Sequence, residues 1–183
     1  NVVDAEIEVL REMGVEIRCG VEVGKDLTID ELRRQGYKAF YIAIGCQGGR
    51  MAGIPGEEAD GVMTAVDFLR KVGEQEAYPV QGRAVVIGGG NVAIDVARTA
   101  GRCGAESVSM YCLEPRDAMP ASQEEIFEAE DEGVQIHCGW GPKEICTEDG
   151  KVTGIVLKKC VSVFDAEGSF CPVYDEADTV TVP

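Results

Sequence analysis

The chain has 183 residues, 45% of them hydrophobic and 27% charged, enough for one ordinary domain or one domain with a piece of another. Its formal charge of −16, from 33 acidic against 17 basic residues spread along the whole length, argues against partners that need a basic face: nucleic acid and anionic membrane. No apolar run approaches the ~20 residues of a membrane span, so a soluble, cytoplasmic protein with no membrane partner is expected.

In chain order, Val3, Ile7 and Leu10 share one face of a helix predicted over Val3–Met13, which Gly14 stops. Val15–Cys19 reads as a short strand. Thr28 caps a helix through Arg34, with Glu31 as the reciprocal capping-box partner, and Gly36 ends it. Ala39–Ile44 reads as a buried strand, followed by Gly45-Cys46-Gln47-Gly48-Gly49 and a loop through Ile54-Pro55-Gly56. Thr64–Val72 is a short amphipathic helix, and Pro79 and Gly82 break the chain after it.

The next stretch is the most informative. Arg83–Ile87 is a strand, Gly88-Gly89-Gly90 a tight turn, Asn91–Arg102 a helix and Glu106–Cys112 a second strand. Glu114–Pro120 is a loop. Ser122 with Glu125 forms a second capping box, opening a helix to about Asp131 that Gly133 closes, and Val134–Cys138 is a third strand. The period then changes. Lys143–Thr147, Lys151–Val163 and Phe170–Tyr174 alternate like antiparallel strands, with hairpin turns at Asp149-Gly150 and Glu167-Gly168, and Thr179–Pro183 begins another strand. A β-α-β-α-β unit followed by an antiparallel meander is therefore expected: an α/β fold with a Rossmann-type parallel sheet.

Gly88-Gly89-Gly90-Asn91-Val92-Ala93 fits G-x-G-x-x-A between a strand and a helix, the context that gives this motif meaning. Gly88 allows the turn, Gly90 lets backbone approach a pyrophosphate, and Ala93 lets the helix pack closely on the strand. The first helical amides, at the positive end of the helix dipole, then face the diphosphate. The second strand ends Tyr111-Cys112-Leu113-Glu114, with Arg116 close behind. An acidic side chain there accepts from the ribose 2′-hydroxyl of NAD, whereas arginine favours the 2′-phosphate of NADP. Glu114 leans the reading toward NAD, and Arg116 keeps NADP open.

Other chemistries find little support. Gly20–Asp26 has three residues between its glycines instead of the four of a nucleoside triphosphate loop, and Asp26 where Ser or Thr would bind magnesium. There is no G-x-S-x-G nucleophile elbow. None of the eight cysteines is spaced C-x-x-C, so thioredoxin-like pairs and the usual zinc spacings are absent, and the thiols are expected to be reduced and structural. His137 is expected to be structural, and Trp140 a packing anchor at a turn. No catalytic acid–base set and no metal site is expected, which suits hydride transfer between two cofactors.

The stretch Val85–Arg98 (VVIGGGNVAIDVAR), with Ala118-Met119-Pro120-Ala121 and Glu124-Glu125, resembles the small (beta) subunit of glutamate synthase and its relatives, NAD(P)H- and FAD-dependent oxidoreductases. Ala43-Ile44-Gly45 is similar to that family's strand end where the chain crosses from the FAD to the NAD(P) domain. Ile54-Pro55-Gly56 and Ala65–Leu69 match its connecting segment. The resemblance implies an FAD/NAD(P)-binding oxidoreductase fold truncated at both ends. Residues 1–52 would be the tail of the FAD domain and crossover, with Gly45 near the flavin, and 53–183 the NAD(P) domain. It implies an enzyme in full-length form, in which hydride passes from NAD(P)H to FAD and electrons go on to iron–sulfur centres outside this chain and a partner subunit. The chain alone would hold little flavin and not turn over. A related electron-bifurcating transhydrogenase or other Fe–S flavoenzyme keeps the same architecture. A non-catalytic nucleotide-binding module is the reading from another class. NADP-using members tend to carry arginines just after the Tyr111 position, where Cys112 and Leu113 stand here.

Overall fold

The computed structural model describes residues 2–183, and the chain forms two units, Asn1–Gly45 and Cys46–Pro183. In the first unit, α1 (Val2–Glu12) ends at Gly14, whose φ of +87° lets the Val15 N–H donate back to the Leu10 carbonyl at 3.1 Å. The short α2 (Ile29–Arg34) opens with the expected capping box: Thr28 Oγ1 accepts from the Glu31 N–H, and the Glu31 carboxylate accepts from the Thr28 N–H at 2.8 Å. The Thr28 N–H and, after it, the Thr28 hydroxyl donating to the Glu31 carboxylate hold that carboxyl below its ordinary value.

Neither strand expected in this unit forms. Val15–Cys19 and Ala39–Ile44 lack regular secondary structure, and Tyr41, Ile42 and Ile44 are 94%, 78% and 81% exposed. A strand exists through its ladder with a neighbour, and the described residues of this unit offer only an isolated bridge between Val23 and Leu27. None of them is buried, so an apolar run has no layer to pack against.

The second unit carries α3 (Ala65–Glu74), capped by Thr64, and then β1 (Arg83–Ile87), α4 (Asn91–Arg102), β2 (Ser107–Cys112), α5 (Gln123–Asp131) and β3 (Gln135–Cys138). The three strands form a parallel sheet in the order β1-β2-β3, with Ile87 opposite Tyr111 and Cys112 opposite Cys138. Alternate residues serve opposite layers. Val86, Val108, Met110 and Cys112 enter the core with Phe68, Ile94, Ala97 and Ile126 of the helices. On the other face Tyr111 and Val85 meet Ile155 and Leu157 of the meander. A parallel sheet covered on both faces explains why β1 carries the apolar run Ala84–Ile87 and β2 the run Met110–Cys112.

The meander is β4 (Trp140–Glu148), β5 (Lys151–Phe164) and β6 (Phe170–Val182), antiparallel in that order. Asp149 and Gly150 both have positive φ (50° and 77°), so the first hairpin turns through these two residues as expected. β4 starts earlier than its alternation suggests, because Pro142 lies on an edge strand, where a missing N–H is tolerated. Trp140 therefore opens a strand instead of sitting in a turn, with Lys159 Nζ 4.8 Å from its ring centre.

β6 is one strand where two short ones were expected. Its register jumps from Lys159↔Asp175 to Lys158↔Thr179, so the polar run Glu176–Asp178 bulges out of the ladder without ending it. Asp175 Oδ1 secures the bulge by accepting from the Ala177 N–H at 2.9 Å. The second capping box forms only by half. Ser122 Oγ accepts from the Glu125 N–H at 3.3 Å, but the Ser122 N–H donates to Asn91 Oδ1 at 2.9 Å, and Glu125 turns to Arg98.

Candidate functional site

The glycine run leaves the C-terminal end of β1 and enters α4. Gly88 extends the β1–β2 ladder, its N–H donating to the Tyr111 carbonyl at 2.9 Å, and its φ of +139° turns the chain. A methyl at Gly88 would lie 3.3 Å from Ala93 Cβ, so two small residues let helix and strand approach here. Gly89 is the crowded position. A Cβ there would stand 2.9 Å from both Cys112 Cβ and Glu114 Oε2, and 3.4 Å from Pro120 Cδ. Its carbonyl accepts from the Ala121 N–H at 3.0 Å, which ties the loop to the segment before α5.

Gly90 is the opposite case. It is the N-cap of α4 with no side-chain cap bond, and nothing lies within 4 Å of where its Cβ would be. The first amides of a 12-residue helix thus receive no side-chain acceptor, and open space adjoins them. Asn91, the first residue of α4, accepts from the Ser122 N–H through Oδ1 at 2.9 Å and acts as a brace. Val92 is 54% exposed beside the loop, and Ala93 is buried under it.

Glu114 reaches this loop from the end of β2. Its carboxylate oxygen lies 2.9 Å from where a Gly89 Cβ would stand, which places an acceptor next to the turn. Arg116, in a short 3-10 turn (Arg116–Ala118), is held on α5: Nη2 donates to Glu130 Oε2 at 2.6 Å, and Nη1 is 3.9 Å from Met119 Sδ. No local pattern links Arg116 with Glu130, fourteen positions away. Leu113, Glu114, Arg116, Cys138, Lys159 and Phe164 are among the walls of a cleft of about 570 Å³ beyond the strand ends. Lys159 and Phe164 come from β5, and no sequence motif marked them. A hollow of about 350 Å³ lies at the other end of the sheet, between the end of α4 and the start of β2, away from the loop.

The remaining sequence-derived positions have ordinary structural settings. His137 stacks on Tyr111 across the β2–β3 pair, with ring centres 4.6 Å apart and planes 15° apart. Gly45 has a φ of +65° and closes the first unit. Arg98 and Arg102 of α4 pair with Glu125, Glu128 and Glu132, clamping α4 to α5. The two guanidinium groups pull the Glu132 carboxyl down to about 2, Arg102 contributing most. All eight cysteines are free. None of the described helices is long and apolar enough to cross a membrane.

The family described as pyridine nucleotide-disulphide oxidoreductase matches residues 3–173. The chain is 37% identical over 154 residues to the NAD-dependent dihydropyrimidine dehydrogenase subunit PreT of Escherichia coli strain K12, covering 84% of this chain and 36% of that protein. It is 34% identical over 162 residues to the glutamate synthase [NADPH] small chain of the same strain, covering 82% and 34%. The resemblance to glutamate synthase small subunits read from Val85–Arg98 is thus met. The chain spans between 22% and 46% of the lengths of such relatives. Among solved structures, Mycobacterium tuberculosis FprA in complex with NADPH superposes with a TM-score of 0.71 at 23% identity, covering 89% of this chain and 51% of that one. That likeness identifies the fold, a parallel sheet with an antiparallel meander, as expected.

Proposed function

This chain belongs to the pyridine nucleotide-disulphide oxidoreductase family, and we propose on that footing that Gly88–Ala93 binds the pyrophosphate of a nicotinamide dinucleotide. The observation that carries the proposal is the pairing of an uncapped, unobstructed Gly90 at the start of α4 with the Glu114 carboxylate beside Gly89. The amides at the helix start would take the diphosphate oxygens, and Gly90 would let them come close. Glu114 would accept from the adenosine ribose. The residues present fit the group, because of the three loop glycines it is Gly90 that adjoins open space, the position the motif reserves for close approach.

The bound dinucleotide supplies hydride chemistry; this chain's residues hold and orient it. In the full-length protein we assign the hydride to an FAD, the electrons to iron–sulfur centres beyond this chain, and the complex to a partner subunit. Residues 1–52 then belong with the flavin domain, Gly45 near the flavin, and 53–183 form the nucleotide domain. The 183 residues contain one dinucleotide fingerprint and none for flavin diphosphate, so the chain alone is expected to bind nucleotide without turnover.

We favour NAD over NADP, since the acidic Glu114 follows the end of β2 and Arg116 is already engaged by Glu130. Relatives carry both labels, NAD-dependent and NADPH, so the choice rests on these two side chains. The test is calorimetric titration with NADH and, separately, NADPH. Saturable binding with a tenfold preference for NADH supports the reading. A preference for NADPH assigns the 2′-phosphate to Arg116 and overturns it. Binding of neither removes the proposed site.

A further inference from the structure

Three sulfurs that the proposed nucleotide chemistry does not use meet at the end of the parallel sheet. Cys112 and Cys138 are in register on β2 and β3, with Sγ atoms 3.8 Å apart, and Met119 Sδ lies 3.9 Å from Cys138 Sγ. Cys112 and Met119 are 2% and 6% exposed, while Cys138 reaches the cleft beyond the strand ends. We propose that Cys112, Cys138 and Met119 form a binding site for a soft monovalent cation, copper(I).

The distances decide between this and a disulfide. A disulfide needs sulfurs about 2.05 Å apart, so the pair would have to close by roughly 1.8 Å against a packed core. A three-coordinate ion with metal–sulfur bonds of about 2.3 Å spaces its ligands about 4 Å apart, close to the Cys112–Cys138 and Cys138–Met119 separations of 3.8 and 3.9 Å. The donor set decides between ions. Among the described residues, no group of three His, Cys, Asp or Glu could hold a metal. Here the third donor is a thioether, and a soft set of thiolates and thioether suits copper(I).

Loading balances as two thiols plus Cu⁺ giving a bis-thiolate complex of net charge −1 and two released protons. Arg116 Nη1 lies 3.9 Å from Met119 Sδ, while Nη2 is paired with Glu130. The proposal stands independently of nucleotide binding.

The experiment is an anaerobic titration of the full chain with Cu(I) against bicinchoninate, with the exposed Cys19, Cys46 and Cys171 replaced by Ser. One Cu(I) per chain is expected, with three sulfurs at about 2.3 Å by X-ray absorption. Cys138→Ser should abolish binding, and Met119→Leu, which keeps size and apolarity, should weaken it at least tenfold with an unchanged circular dichroism spectrum. Binding indifferent to Cys138→Ser, binding indifferent to Met119→Leu, or tighter retention of Zn(II) than Cu(I) would each overturn the assignment.

Discussion

Gly90→Ala separates binding from folding. The new methyl meets no atom within 4 Å, and Gly90 has an ordinary extended backbone (φ −93°, ψ 172°), so no strain arises. Alanine is a poorer N-cap than glycine, but it also restricts the unfolded chain by about 0.4–1 kcal/mol, and the two effects nearly cancel. The expected stability change is within about 1 kcal/mol, a shift in Tm of no more than about 4 °C. The same methyl occupies the space through which a diphosphate would reach the helix amides. A hydrogen bond to a charged group contributes about 1.5–3 kcal/mol, so losing one weakens nucleotide affinity by roughly 10- to 150-fold. Differential scanning calorimetry and nucleotide titration on the same preparation read the two effects. Wild-type affinity in Gly90→Ala would refute the placement of the pyrophosphate, whatever happened to Tm.

Gly89→Ala should behave differently: its methyl collides with Cys112 Cβ, which cannot swing away, so it should cost about 1–3 kcal/mol and lower Tm as well as affinity. Glu114→Ala should weaken NADH binding about tenfold or more. Arg116→Ala should change the affinity for either nucleotide less than about threefold, because its guanidinium is committed to Glu130; a large loss confined to NADPH would show that it swings across. Glu132→Gln bears on pH dependence. The folded carboxyl titrates at about 2 against an ordinary 4.5, so its contribution is present above pH 4.5 and fades as pH falls toward 2. Urea midpoints should therefore separate wild type from Glu132→Gln at neutral pH and converge in acid; a gap independent of pH contradicts the Arg98–Arg102 clamp. Leu157→Ala, at a fully buried site between the two sheets, should cost about 2–5 kcal/mol by urea unfolding.

Periodicity and punctuation made much of the second unit legible. The strand, triple glycine and helix from Arg83 to Arg102 form within the expected bounds, because the signals are local: an apolar run buried on both faces, a turn only glycine can make, and a 3.6-residue stripe. The Asp149-Gly150 hairpin and the Thr28 box are equally local. Where alternation broke, at Glu176–Asp178, the sequence suggested a strand end. A bulge absorbs the run because β5 continues opposite it, which only the pairing reveals.

Composition, glycine spacing and the acidic residue after β2 were enough to point to a Rossmann-type fold with a dinucleotide loop, since they depend on contacts a few residues apart. Several decisions needed the tertiary structure. Ala39–Ile44 has strand composition but finds no ladder partner in its unit. Asn91 braces Ser122, Arg116 is taken by Glu130, and Lys159 and Phe164 arrive at the cleft from β5. Cys112, Cys138 and Met119 converge only because parallel pairing sets β2 and β3 in register. The physical reason is common to all of them: a side chain's chemistry is written in its type, but its partner is chosen by which distant backbone the fold brings within reach.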